Sequence, residues 1–269
     1  MNCRSAVALA LSVALLGACA HRSPTTVSAL LQDVMPTPVL MLGEQHDAPE
    51  HQVLQRDVVQ ALTVRGQLGA LVIEMAEQGR QTTGLPADAS EARVREALNW
   101  TDQGGWPWPV YSAVVMAAVR AGVPVLGGDL PRSQMSTAMA TDALEGRIGG
   151  AVLQEQRQGI REGHCDLLPE SQIAPMTRIQ LARDDTMART VVAAVAKVGA
   201  GKTVVLVAGN GHVRRDLGVP LYLPKELAYR VVMAQAGTSR TAPPADVVWP
   251  TPAQPPRDHC AELRQQFKR

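Results

Sequence analysis

The stretch Thr203-Val204-Val205-Leu206-Val207-Ala208-Gly209-Asn210-Gly211-His212 decides the fold. Its first six residues carry no charge and no glycine, and polar and apolar positions do not alternate. A run this short and this continuously apolar reads as a strand covered on both faces, the kind found inside a parallel sheet. Similar runs lie at 39–42, stopping at Gly43, at 70–73, reaching Glu74, and more weakly at 124–127, two residues before Asp129. Residues 229–233 read as a last strand.

Helical patterns fill the intervals. Residues 52–64 place apolar side chains at 53, 54, 58, 59 and 62, the spacing of one helical face. Residues 110–120 follow Pro109 and end before Gly122. Residues 133–144 are expected as one helix with Ser133 as N-cap, followed by helices at 151–163 and 173–198. Strand and helix in alternation predict a single α/β domain over 38–236, with a mostly parallel central sheet flanked by helices. Residues 76–108 read as a long insertion of weak periodicity. The stretch 238–256, rich in Pro, Thr and Ala, is expected to be irregular within a C-terminal tail, 237–269. No internal repeat is visible.

The first 18 residues are expected to be an export signal. Arg4 is their one charge, 5–16 is uncharged and mostly apolar, and Leu16-Gly17-Ala18-Cys19 follows. That tetrapeptide resembles the bacterial lipobox, which implies a lipid-modified, palmitate-carrying Cys19 at the head of a lead, 19–37. With Ala20 rather than Asp after the cysteine, the resemblance to bacterial lipoproteins implies the periplasmic face of the outer membrane. The competing reading is an ordinary secretory signal that contains a cysteine.

Without the leader 251 residues remain, 25 basic and 25 acidic, a balance that speaks against nucleic acid as a partner. Aromatic residues make up 3% and Phe267 is the one Phe, so the core must be Val, Leu, Ala, Ile and Met. Past the leader no apolar run is long enough for a membrane-spanning helix, which leaves the lipid as the only membrane attachment. Cys165 and Cys260 are the two thiols remaining after Cys3 and Cys19, and in an oxidising compartment they are expected to pair. Two free thiols are the alternative.

Each apolar run leads to chemically competent side chains: Glu44 and His46, Glu74, Asp129, and His212. In open parallel sheets ligand sites form at the carboxyl ends of the strands. These five residues are therefore expected to share a cleft. They could hold a divalent metal, or do acid–base work without one. Singly, each reads as a cap or a solvated loop residue. No Gly-x-Ser-x-Gly, Walker loop or dinucleotide fingerprint occurs. Met176 and Met187 share a helical face and read as core. Arg183-Asp184-Asp185 either pairs with the cleft or lies on a solvated helix surface.

Seven motifs in order bring a family to mind: Leu42-Gly43-Glu44-Gln45-His46-Asp47; Val72-Ile73-Glu74-Met75; Trp106-Pro107 with Tyr111; Leu130-Pro131-Arg132; Gly163-His164-Cys165-Asp166-Leu167-Leu168-Pro169; Gln180 with Arg183-Asp184 and Met187-Ala188; and Gly209-Asn210-Gly211-His212-Val213-Arg214. Together they resemble the ChaN-like haem-binding uptake lipoproteins, within the wider Tiki and erythromycin-esterase-type superfamily. The resemblance runs from about residue 40 to 220. It implies haem as ligand, a role in haem or iron uptake, a homodimer holding haem at its interface through a Tyr ligand to iron, and an outer-membrane haem or iron receptor as a candidate partner. The haem candidates are Tyr111, Tyr222 and His164, with Arg132 and Arg214 for the propionates. The alternative is a metal-dependent hydrolase using Glu44, His46, Glu74 and His212, with Asp129 as a further metal ligand.

Overall fold

The computed structural model describes residues 23–102, 105–238 and 244–266, so the expected leader and Cys19 lie outside the described residues. Six strands form one sheet: β1 (Val39–Glu44), β2 (Leu68–Glu77), β3 (Val125–Asp129), β4 (Thr203–Gly209), β5 (Tyr229–Ala236) and β6 (Val247–Thr251). Their order is β3-β2-β4-β1-β5-β6 and every pairing is parallel. All carboxyl ends therefore open on one edge of the sheet.

The helices are α1 (Val27–Val34), α2 (Pro49–Val64), α3 (Glu91–Ala97), α4 (Trp108–Arg120), α5 (Met135–Ala140), α6 (Gly150–Gly163), α7 (Glu170–Val195), α8 (Asn210–Val213) and α9 (His259–Gln266). Two apolar layers sandwich the sheet. Leu40 and Leu42 of β1, Leu71 and Ile73 of β2, and Val205 and Val207 of β4 pack with α1, α2 and α4. The alternate residues Val39, Met41, Ala70, Val72, Val204 and Leu206 pack with Met187, Ala188 and Val191 of α7. Both faces are buried, which is why the strands read as continuous apolar runs.

Within the lead, Leu30, Leu31 and Val34 of α1 are buried in the main core. The expectations for the tail and for 133–144 need correction. The irregular tail contains β6, where Val247 pairs in register with Val232. Prolines disguise it in the sequence, and Pro250 is tolerated because an edge strand has a free side. The single helix at 133–144 is broken into a 3₁₀ turn at Arg132–Gln134, the short α5, and a second 3₁₀ turn at Asp142–Arg147. Ser133 lies inside the first turn and caps nothing, while the Thr141 hydroxyl donates to the Thr137 carbonyl at 2.6 Å where α5 ends. Residues 76–108 hold the end of β2 and α3, the latter capped by Ser90. Cys165 and Cys260 form a disulfide that ties α9 to the end of α6. No described helix is long and apolar enough to cross a membrane.

Candidate functional site

Strand alternation decides which layer each strand-end carboxylate meets. Glu44 shares its direction with Leu40 and Leu42, so it points into the α2–α4 layer. There it is 1% exposed and fully engaged. Its Oε1 accepts from the Tyr111 hydroxyl at 2.7 Å and meets His46 Nδ1 at 2.6 Å. Its Oε2 accepts from Gln52 Nε2 at 2.8 Å and Gln55 Nε2 at 2.5 Å. The His46 side chain is 40% exposed, with Nε2 4.0 Å from Glu74. Burial works against its protonation, but the Glu44 hydrogen bond and the Glu74 charge outweigh burial and raise its pKa above the ordinary imidazole value.

Glu74 shares its direction with Ala70 and Val72 and meets the α7 layer. Its Oε1 accepts from Arg183 at 2.7 Å and lies 3.3 Å from His212 Nε2, and its Oε2 accepts the Gly209 amide at 2.7 Å. Burial would raise its pKa, yet His212, Arg183 and His46 together hold it well below the usual carboxylate range. Arg183 also forks onto Asp129, with Nε to Oδ1 at 2.6 Å and Nη2 to Oδ2 at 3.2 Å. For Asp129 burial prevails over Arg183, and its pKa is raised. His212 Nδ1 contacts Asp184 Oδ1 at 2.6 Å. Burial disfavours the His212 cation, but the charges of Glu74 and Asp184 on either side raise its pKa to about 10.

Glycine makes the close approach feasible at two points. A Cβ on Gly43 would lie 2.4 Å from Asn210 Oδ1 and 2.5 Å from Val213, so α8 could not seat on β1. A Cβ on Gly209 would lie 2.9 Å from His46 Nε2. The loop carrying His46 is tied down from behind by His51, whose Nδ1 accepts from the Gln45 amide at 2.9 Å and whose Nε2 contacts Thr251 Oγ1 of β6 at 2.9 Å.

The structure thus brings Glu44, His46, Glu74, Asp129 and His212 together, but not as a metal centre. Among the described residues no group of three or more His, Cys, Asp or Glu is placed to hold a metal ion. The reason is chemical. Glu74 and Asp129 share the Arg183 guanidinium, His212 is held by two carboxylates, and both Glu44 oxygens are taken by amide, hydroxyl and imidazole groups.

Beside this network a cleft of about 470 Å³ opens over the carboxyl ends of β2 and β3. Leu98, Trp106, Leu130, Met135, Met176 and Ile179 give it apolar walls, and its charged lining balances Arg80, Arg132 and Arg183 against Glu74, Glu77 and Asp129. The His46 ring stands edge-on to Trp106, 6.1 Å between centroids.

Of the haem candidates named from sequence, Arg132 lines this cleft and four others do not. Tyr111 is 2% exposed, and its hydroxyl is spent on Glu44. Burial and the Glu44 charge push its pKa far up, so the phenolate that would ligate iron is strongly disfavoured. Tyr222 packs with the α7 layer beneath Arg147. His164 closes α6, its Nδ1 on the Ile160 carbonyl at 2.8 Å. Arg214 pairs with Asp216 and Glu155 at the surface. Met187 is fully buried, as a core methionine should be, but Met176 lines the cleft instead. Gln52 and Gln55 escaped sequence reasoning, since nothing marks a helical Gln as a strand-end partner. For Arg183 and Asp184 the signals were an Arg-Asp pair on a long helix, read as either pairing with the cleft or solvated, and the family motif they share with Gln180; the structure places both in the network.

An all-parallel, doubly covered sheet with an ionisable network and a half-apolar cleft at its carboxyl edge defines an α/β ligand-binding or acid–base class. The chain matches the family described as haem-binding uptake, Tiki superfamily, ChaN, over residues 30–223, and belongs to it. Among solved structures it is similar to ChaN of Campylobacter jejuni, described as binding haem cofacially, at 22% identity and TM-score 0.63, covering 82% of this chain and 89% of that one. An erythromycin esterase mutant in its open conformation aligns at 15% identity and TM-score 0.41, covering 77% of this chain and 72% of that one. A succinoglycan biosynthesis protein aligns at 12% identity and TM-score 0.43, covering 80% and 72%. Comparison with curated proteins finds no match.

Proposed function

We propose that this chain is a haem-binding lipoprotein of haem or iron uptake, anchored through Cys19 to the periplasmic face of the outer membrane. The observation that carries the reading is membership of the haem-binding uptake family, together with a cleft whose chemistry suits a porphyrin. Haem has two apolar faces and two carboxylates. Trp106, Leu98 and Leu130 offer apolar contact, and Arg132 is among the cations on the wall that a propionate would meet. Haem proteins use His, Met, Cys or Tyr as axial ligands. Here the groups in or beside the cleft are the thioethers of Met135 and Met176 and the half-exposed His46 imidazole. The haem is cargo in this reading, and the ionisable network behind it fixes the loop that carries His46.

The test is a hemin titration of residues 20–269 followed by visible absorption. We expect a Soret shift that saturates at a fixed haem-to-chain ratio. It should weaken at least tenfold in a Met135→Ala, Met176→Ala double variant, while Tyr111→Phe and Tyr222→Phe leave its position unchanged. A Soret band lost in Tyr222→Phe would reassign the site, and no saturable shift at all would end the reading. Globomycin-sensitive processing of the full chain tests the lipid anchor separately.

A second reading is favoured by one observation: His46 is oriented by a buried carboxylate through Nδ1 while its side chain stays 40% exposed. That is the arrangement of a general base. It supports hydrolysis without metal rather than the metal-dependent form. Turnover of activated esters that disappears in His46→Ala, with no hemin uptake, would favour it.

A further inference from the structure

A second cavity, about 800 Å³, shares Arg80 with the strand-end cleft and otherwise has its own lining. It is a groove over the starts of β2 and β3, walled by the C-terminal half of α7 and the turn that follows it. Leu68, Ala70, Val123, Leu126, Ala194 and Val198 form an apolar floor. Gly69 keeps that floor low, because a Cβ there would lie 2.9 Å from Val198.

The rim is cationic. Arg80, Arg189, Lys197 and Lys202 line the groove, and none of its lining residues is Asp or Glu. Arg189 reaches Asp185 one turn away at 3.3 Å, and Lys202 Nζ donates to the Gly66 carbonyl at 2.7 Å. The Arg80 and Lys197 side chains have no ion-pair partner among the described residues, and both are exposed. In a chain with equal numbers of acids and bases once its leader is set aside, four bases around one apolar groove with no acid in its lining is a local excess. The volume falls in the range of roughly 300–1,000 Å³ that small-molecule sites occupy. No histidine, tyrosine, methionine or cysteine lines it, so it offers no axial ligand to an iron porphyrin.

We propose that this groove binds a single-chain amphiphilic carboxylate, its alkyl chain on the apolar floor and its head group between Arg80 and Lys197. The apolar floor excludes a small hydrophilic anion as the best occupant, and the unpaired cations exclude a neutral alkyl chain. A carboxylate head gains charge-assisted hydrogen bonds from either side chain.

Dodecanoate is the probe, titrated calorimetrically into residues 20–269 below its micellar concentration. One dodecanoate per chain is expected, with dodecanol binding at least tenfold more weakly. Lys197→Glu combined with Arg80→Glu should weaken dodecanoate at least tenfold. Ala193→Trp, an exposed α7 position lining the groove, should abolish saturable uptake while leaving the circular dichroism and the hemin titration unchanged. The last readout separates this groove from the strand-end cleft. No saturable uptake by the unsubstituted protein, equal affinity for dodecanol, or unchanged binding in either variant would overturn the proposal.

Discussion

Removing Arg183 isolates the energetics of the site most cleanly. Arg183→Met keeps the aliphatic stem and deletes the guanidinium that joins Glu74, 2% exposed, to Asp129, 7% exposed. Two buried carboxylates then lose their common partner. Breaking a buried pair in this way costs about 3–5 kcal/mol, because the abandoned charge is not rehydrated. For a chain of this length that corresponds to a fall in Tm of about 6–20 °C. The pH dependence carries a sign. In the unsubstituted protein Glu74 titrates below its ordinary value, so its contribution is present above about pH 4.5 and is lost as pH falls further. In Arg183→Met the cation is gone: Asp129, already raised by burial, rises further, and Glu74 keeps His212 but loses part of what holds it down. The variant therefore gains on the unsubstituted protein as pH is lowered from 7 to 5, and the gap narrows. Adding Glu74→Gln to Arg183→Met removes one stranded charge and should recover part of the loss, although Glu74→Gln alone destabilises. Urea unfolding followed by circular dichroism at pH 7 and pH 5 reads all four proteins. A single variant within about 1 kcal/mol of the parent, or a double variant less stable than both singles, would refute the reasoning.

Three further expectations follow from the geometry. With its pKa raised from 6.5 to about 10, His212 stabilises the fold fully below pH 6.5 and progressively less as pH rises toward 10. His212→Gln should flatten that decline in unfolding free energy, and a His212 resonance, identified by its loss in that variant, titrating near pH 6.5 in the parent would contradict the assignment. Gly43→Val drives a branched side chain into Asn210 and Val213, and should cost at least about 1–3 kcal/mol in thermal denaturation. Replacing both cysteines of the Cys165–Cys260 bridge by serine opens a loop of 95 residues and should lower stability by about 4 kcal/mol in urea, with the α9 amides losing protection from hydrogen exchange first.

The parallel sheet was readable because its strands are buried on both faces, which writes them as unbroken apolar runs at 39–42, 70–73 and 203–208. The strand-end residues were readable for the same reason: where the apolar run stops, the site begins. The way the site is wired was not. Glu44 and Glu74 look alike in sequence, yet alternation turns one toward Gln52, Gln55 and Tyr111 and the other toward Arg183 and His212. Knowing which helix covers which face requires the crossovers, and those are long-range facts. Tyr111 misled for a related reason. Its aromatic neighbourhood suggests an open flat surface, whereas α4 rotates it inward, where Trp100 packs against it at 5.8 Å. Strand β6 was hidden because its prolines mimic a linker, and only an edge position lets Pro250 into a strand.

Strand β5 lies beyond the last residue of the family match, residue 223, yet it pairs with β1 from Val39 to Gly43. A fragment trimmed to the matched region would turn β1, an inner strand, into a bare margin of unpaired amides and carbonyls, a template for self-association. It would also remove Thr251 from His51, and so slacken the loop that presents His46. The residues by which this chain is recognised and the residues it needs to fold are different sets, and any expression boundary should be drawn by the second.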